Sequence, residues 1–119
     1  MDKYRIEDVA DFFLKIVDRE SESTITPLKL QKILYYAQGY YLAIHDKELF
    51  PEEFEAWAHG PVNEEIYNKY RDYGYQSIPE PEYEIKEFSK EFTSIQISGI
   101  RIFLQIAFLP YEAIKNHNT

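Results

Sequence analysis

Residues 26 to 45 read TPLKLQKILYYAQGYYLAIH, and no other stretch constrains the fold as strongly. Thr26 can accept a hydrogen bond from a free helical amide, and Pro27 at the first helical position gives up no intrahelical bond. The spacing predicts a helix over 26–45. Leu30, Leu34, Ala37 and Tyr41 form one stripe with Ile33 beside it. Tyr35, Tyr36, Tyr40 and Leu42 carry the apolar cover well beyond a single face. At about 100° per residue, Lys29, Gln31, Lys32 and Gln38 are scattered around the stripe instead of gathering opposite it. A helix clothed in this way is expected at the centre of a domain, packed on several sides. The expected fold class is therefore mainly α: a single compact helical domain around this central helix, with room for a short β-hairpin.

The flanking segments fit that frame. Ile6, Val9, Ala10, Phe13, Ile16 and Val17 follow helical spacing, while Asp8, Asp11, Lys15 and Asp18 mostly fill the other side. This predicts an amphipathic helix over about residues 5–19, followed by the polar loop RESEST. After the central helix, HDKELFPEEF is a connection with a turn at Asp46-Lys47. In FEAWAHGPV, Phe54, Ala56 and Ala58 can share one face of a short strand, which Gly60-Pro61 is expected to stop. Asn63 caps a third helix in NEEIYNKYRDYG, with Glu64 and Glu65 in its first turn and Gly74 as terminator. Ile66, Tyr67, Tyr70 and Tyr73 give that helix an apolar side. SIPEPEYEIKEF reads as an extended loop, with strand character around Tyr83 to Ile85. Beyond residue 92 charge nearly vanishes. Of 13 Lys and Arg and 21 Asp and Glu, only Arg101, Glu112 and Lys115 fall after Phe92. ISGIRIFLQIAFLPYEAI is either one buried helix from about 100 to 109 ended by Pro110, or a strand; periodicity alone does not decide. The domain organisation expected is a body over 1–92 and a divergent segment over 93–119 that packs on or continues the same domain.

Bulk properties narrow the function. A chain of 119 residues with 45% hydrophobic and 29% charged residues has the balance of one soluble domain. The net charge of -8 argues against nucleic acid as a ligand, because phosphate binding needs a basic footprint. The acidic surplus suits a basic partner or serves solubility alone. The absence of cysteine excludes disulfides and cysteine-based zinc sites. MDKYRIEDVADFF is too charged for a signal peptide, and no long apolar run offers a membrane span, so the expected address is cytoplasmic. His45, His59 and His117 show no metal-ligand spacing, no glycine-rich phosphate loop is present, and no serine sits in a nucleophile elbow. Glu52, Glu53 and Glu55 could supply an acid–base pair, but clustered loop acids read first as solvated. No catalytic, cofactor-binding or metal residue is expected, and no enzyme.

Binding residues are easier to nominate. Lys29, Lys32, Tyr36 and Tyr40 flank the central helix and can reach a partner. His59 reads as a turn residue beside Gly60-Pro61. Trp57, the one tryptophan, reads first as core and alternatively as an interface anchor, since Trp and Tyr are enriched at hot spots. Gln31 and Gln38 lie seven apart on one side of the helix. They are expected to satisfy backbone groups of the AWAHGPV loop, with Gly39 letting that backbone come close. The competing reading is a small-ligand site or enzyme built on a Tyr-lined pocket with His59 or the Glu52 to Glu55 acids.

The run from Thr26-Pro27 through Gln31, Gln38 and Gly39 closely resembles the signature of the Panacea-domain proteins, also described as GepA-like or phage-associated proteins and including SocA-like antitoxins. Leu49-Phe50, Phe54-Glu55-Ala56-Trp57, Gly60-Pro61-Val62, Ile66-Tyr67 and Tyr70 are similar to its second signature. The likeness covers about residues 5 to 75. It implies a mainly helical domain of bacteria, prophages and mobile elements that acts as an antitoxin. Such a protein binds and neutralises a cognate protein toxin encoded beside it. At least some members also deliver the toxin to an ATP-dependent protease as a proteolytic adaptor. The resemblance brings no cofactor and no enzymatic activity. After Phe92 the chain departs from the family's pattern: the charged amphipathic helix, the Ser-x-x-x-Leu-like stretch and the Thr-His element before a closing Pro-Trp are not recognisable.

Overall fold

Thr26 and Asn63 each sit in extended backbone just ahead of a helical run. Their side chains accept hydrogen bonds from the amides of Lys29 and Ile66, at 3.3 and 2.9 Å. A computed structural model describes residues 4–16 and 25–90. In it these caps open the second and third of three helices: α1 (Ile6–Ile16), α2 (Pro27–His45) and α3 (Glu64–Tyr70). A 3-10 turn, Arg71–Tyr73, extends α3. The start of α1 is held from two directions. Arg5 N donates to Asp8 Oδ2 at 3.0 Å, and Ile6 N donates to Glu52 Oε1 at 3.0 Å. Asp46, at φ 55, ends α2 in the left-handed region and returns its amide to Leu42 O at 2.8 Å.

Between α2 and α3 lies an antiparallel hairpin of β1 (Glu55–Trp57) and β2 (Gly60–Val62), paired Glu55 to Val62, Ala56 to Pro61 and Trp57 to Gly60. The expected strand is therefore real, but Gly60-Pro61 opens its partner instead of stopping it. Gly60 takes up φ 117, which lets the chain leave the Ala58-His59 turn. Pro61 has no N–H to donate, which suits the middle pair, where facing residues exchange no hydrogen bonds. Tyr83 to Ile85 forms no strand; side chains hold that segment instead.

The core is built from Ile6, Val9, Phe13 and Leu14 of α1, Leu30, Ile33, Leu34 and Ala37 of α2, and Leu49, Phe50, Ile66 and Ile78, all essentially inaccessible. Each such Leu, Ile or Phe contributes roughly 1.5–3 kcal/mol through burial. Helix α2 holds the central place, touching α1, β2 and α3. Its broad apolar cover has a different cause from the expected one, however. Tyr35 is 53% and Leu42 46% exposed, with Leu28 and Ile44 similar, so that part of the cover faces outward, while Tyr36 and Tyr40 are half-buried.

Helix α1 is the more enclosed of the two. Every residue from Val9 to Leu14 is buried, which spans more than one full turn. Its polar flank, expected to face solvent, lies under an extended strap of residues 77–86 running in the opposite direction. Lys15 Nζ donates to Pro81 O at 3.1 Å and pairs with Glu80 at 3.5 Å. Tyr83 Oη donates to Asp11 Oδ1 at 2.6 Å, and Lys86 pairs with Asp8 at 3.7 Å. Ile78 N donates to Ile25 O at 2.8 Å and fixes the start of the strap. Asp11, expected on the solvent side, is only 9% exposed.

The chain divides into two units, Met1–Glu87 and Phe88–Thr119. All the elements above belong to the first. Residues 17–19 of the expected first helix, the RESEST loop, the apolar segment at 95–109 and His117 lie outside the described residues.

Candidate functional site

Gln31 and Gln38 each bind backbone through both ends of the amide. Gln31 Oε1 accepts from Asn63 N at 2.9 Å, and its Nε2 donates to Asn63 O at 3.0 Å. Gln38 Oε1 accepts from Leu49 N at 2.7 Å and Phe50 N at 3.4 Å, and its Nε2 donates to Phe50 O at 2.8 Å. The glutamines do satisfy backbone groups, but not those of AWAHGPV. Seven residues span about 10 Å of helix, so the returning chain meets α2 at two separate places. One is Leu49-Phe50 before the hairpin, and the other is Asn63 after it. Gly39 plays no part in that approach: it is exposed, and a Cβ there would meet nothing within 4 Å. Asn63 Nδ2 also donates to Glu53 O at 2.8 Å, which ties the base of the hairpin to the same clamp.

The six nominated contact residues fall on two faces. At about 100° per residue around α2, Lys29, Tyr36 and Tyr40 share one flank, with exposed Lys32 at its margin. The Tyr36 and Tyr40 rings stack at 5.8 Å and 12°. Trp57 and His59 lie on the hairpin, beside the opposite flank. There Tyr35 meets Phe54 edge-on at 5.2 Å. Trp57 is not core: it is 41% exposed, its ring stands 4.9 Å from that of Tyr67, and its indole N–H donates to Glu55 Oε2 at 3.0 Å. A strand whose residues are all exposed cannot bury its tryptophan. His59 is exposed in the turn. Around this pair, Glu53, Glu55, Glu64 and Glu65 are exposed and meet no base among the described residues. Glu7, Asp8, Glu52 and Glu80, by contrast, are each ion-paired. The hairpin face is thus acidic and aromatic, and the far flank of α2 basic and aromatic.

The loop acids are not all solvated. Glu52 is drawn in to cap α1 and pairs with Arg5 at 3.1 Å. Glu55 holds the Trp57 indole. His45 packs on Tyr41 at 4.3 Å between ring centres. Among the described residues no group of three or more His, Asp or Glu could hold a metal ion, and no helix is long and apolar enough to cross a membrane.

A Tyr-lined cleft does exist, but its tyrosines are not those of α2. About 310 Å³ in volume, it is lined by Tyr70, Tyr73 and Tyr83 with Leu14, Ile78, Lys69, Glu80 and Glu82; neither His59 nor the Glu52 to Glu55 acids reach it. Burial, with the hydrogen bond to Asp11 and its charge adding to it, pushes the Tyr83 phenol up to about 12. Burial first, and then the charge of Asp11, raises Tyr70 as well. Asp11 and these three tyrosines were not among the nominated residues. The available signal was local: Asp11 interrupts an otherwise apolar run, Val9-Ala10-Asp11-Phe12-Phe13-Leu14. An acid inside such a run marks burial more than amphipathicity.

The family described as Antitoxin SocA-like, Panacea domain, matches residues 30–101, more than half of the chain. The matched span takes in both glutamine clamps, the hairpin, α3 and the strap. It starts inside α2, so it leaves out α1, and it runs past residue 92. No curated protein and no solved structure matches the chain. A match over more than half of the chain settles its kinship: the chain belongs to the SocA-like antitoxin family of Panacea-domain proteins.

Proposed function

We propose that this protein is the antitoxin of a two-gene system, which neutralises a cognate protein toxin by direct contact in the cytoplasm. In the same role it serves as an adaptor that brings the toxin to an ATP-dependent protease. The observation that carries the contact reading is the hairpin face. Trp57 of the hairpin and Tyr67 of α3 stand exposed edge to face beside acids that meet no base among the described residues, and Gln31 and Asn63 fix the base of the hairpin. Exposed Trp and Tyr on a rigid support are the residues from which binding hot spots are made. The flank of α2 that carries exposed Lys32, with Lys29, Tyr36 and Tyr40 beside it, is the second face proposed for a partner.

Co-expression with the product of the neighbouring open reading frame tests this. The expected result is restored growth and co-purification, weakened by Trp57→Ala or by Lys32→Glu according to the face used. Failure of the wild type to rescue and to co-purify would overturn the antitoxin reading. A degradation assay with and without the protein tests the adaptor role; toxin turnover unchanged by its addition removes it. The Tyr70, Tyr73 and Tyr83 cleft favours a second reading, small-ligand binding. Thermal-shift screens with metals and metabolites separate that reading from the first.

A further inference from the structure

Asp11 is a buried acid that pairs with no base among the described residues. It is 9% exposed, and its one polar contact among the described residues is the Tyr83 hydroxyl at 2.6 Å. The bases of the neighbourhood are spoken for: Lys15 goes to Glu80 and Pro81 O, Lys69 to Glu7, and Lys86 to Asp8. A carboxylate this deep is ordinarily paired, because desolvating the charge is otherwise uncompensated. Tyr83 carries its influence to the cleft, since the phenol that lines the cleft is the one bonded to Asp11. Glu80, already paired with Lys15, and Glu82 lie in the same lining with Lys69.

Lys69 also shows what kind of group this surface holds. Its ammonium stands 5.4 Å from the centre of the Tyr70 ring and 4.0 Å from Glu7 Oε2, a cation over an aromatic face with a carboxylate beyond it. Tyr73, 6.4 Å from Tyr70 between ring centres, offers a second face. No trio of potential metal ligands converges among the described residues, so the donor set suits an organic cation better than a metal ion. A volume of about 310 Å³ fits one extended side chain or a molecule of that size.

We propose that the cleft is a binding site for an organic cation, a guanidinium or primary ammonium on an alkyl stem. The stem lies on the Tyr70 and Tyr73 rings, and the charged head is drawn toward Tyr83 and Asp11. Such a group comes either from an arginine or lysine side chain of a protein or from a free amine of low mass. This site is separate from the hairpin face and stands or falls without it.

Nuclear magnetic resonance titration of the full chain decides it. The probes are agmatine, a free cation, and N-acetyl-arginine-N-methylamide, a side chain in peptide form, with N-acetyl-citrulline-N-methylamide as the neutral isostere. Saturable shifts of the Tyr70, Tyr73 and Tyr83 ring signals are expected with a cation and not with citrulline. Binding of the peptide form alone assigns the cleft to a protein side chain; agmatine binding as tightly assigns it to free amines. Asp11→Asn should weaken binding about ten-fold, and Lys69→Gln, which removes the resident cation, should strengthen it about three-fold. If Asp11→Asn does not fold, Tyr73→Ala takes its place with an expected loss of about three-fold. Absence of a saturable shift with either cation, an equal response to citrulline, or affinities unchanged in both Lys69→Gln and Tyr73→Ala would overturn the proposal.

Discussion

Replacing Gln31 with leucine keeps a side chain of similar size in a site only 4% exposed and removes both bonds to Asn63. The two losses are unequal. Asn63 O keeps a second hydrogen bond, from Tyr67 N at 3.0 Å, whereas Asn63 N has Gln31 Oε1 as its partner. The amide is left orphaned and the carbonyl merely under-used. An orphaned buried donor costs about 1–3 kcal/mol and the lost carbonyl bond about 0.5–1.5 kcal/mol. Leucine's apolar surface recovers part of that, so the expected loss is about 2–3 kcal/mol. Against a total stability of order 5–15 kcal/mol this is large. At about 4–8 °C per kcal/mol for a domain of this size, Tm should fall by 8 °C or more. Gln38→Leu, which strands Leu49 N and Phe50 O in a partly buried site, should lose somewhat less. Circular dichroism melting and urea titration at neutral pH, with m-values compared, measure both. If both variants melt within about 2 °C of the wild type, water or a relaxed loop satisfies these groups and the clamp argument fails.

Three further outcomes follow from named contacts. Tyr83 is held up to about 12 from 10.0, so the unfolded phenol loses its proton first; the stability it contributes is full below pH 10 and is lost as pH rises from 10 toward 12. Tyr83→Phe should flatten that alkaline fall in Tm, and an unchanged slope would refute the Asp11 pairing. Glu52→Ala removes the long-range cap on Ile6 N and should cost about 1–2 kcal/mol in urea unfolding; Arg5→Ala, which leaves the buried Glu52 Oε2 without its ion-pair partner, should cost about as much. Trp57 should fluoresce as an exposed indole that acrylamide quenches readily, and Trp57→Ala should shift stability by under about 1 kcal/mol; a blue-shifted, shielded emission would contradict its placement.

Local chemistry written over a few residues was readable in advance. The caps at Thr26 and Asn63, the stop at Asp46 and the glycine at 74 each act within one turn of a helix, and each stands where the pattern put it. The inward direction of Gln31 and Gln38 was legible too, because a helix of known pitch puts them on the buried side. Their partners were not, since those depend on where a returning chain crosses the helix. Trp57 misled because size suggests burial, while a three-residue strand with both faces open has no interior to offer it. Asp11 misled in the opposite sense. Periodicity sorted it with Asp8 and Lys15, and only the strap, whose residues lie 66 and 72 positions further along at Lys15 and Asp11, covers that flank. The two faces on which the nominated residues fall could not be separated from sequence, since the hairpin's position beside Tyr35 is set by those same distant bonds.

The strap has a consequence for the order in which the protein is made. Helix α1 leaves the ribosome ahead of the strap, and the groups that close over Lys15 and Asp11 are specified 66 and 72 residues later. At about 5–20 residues per second, several seconds separate the two events. Glu52, 46 residues after Ile6, is made before the strap, so α1 gains its first-turn cap while Asp11 still waits for Tyr83. The newborn chain is therefore most open to proteases and chaperones before the strap arrives. In this unit, synthesis of the PEPEY stretch is the event that completes the enclosure of α1.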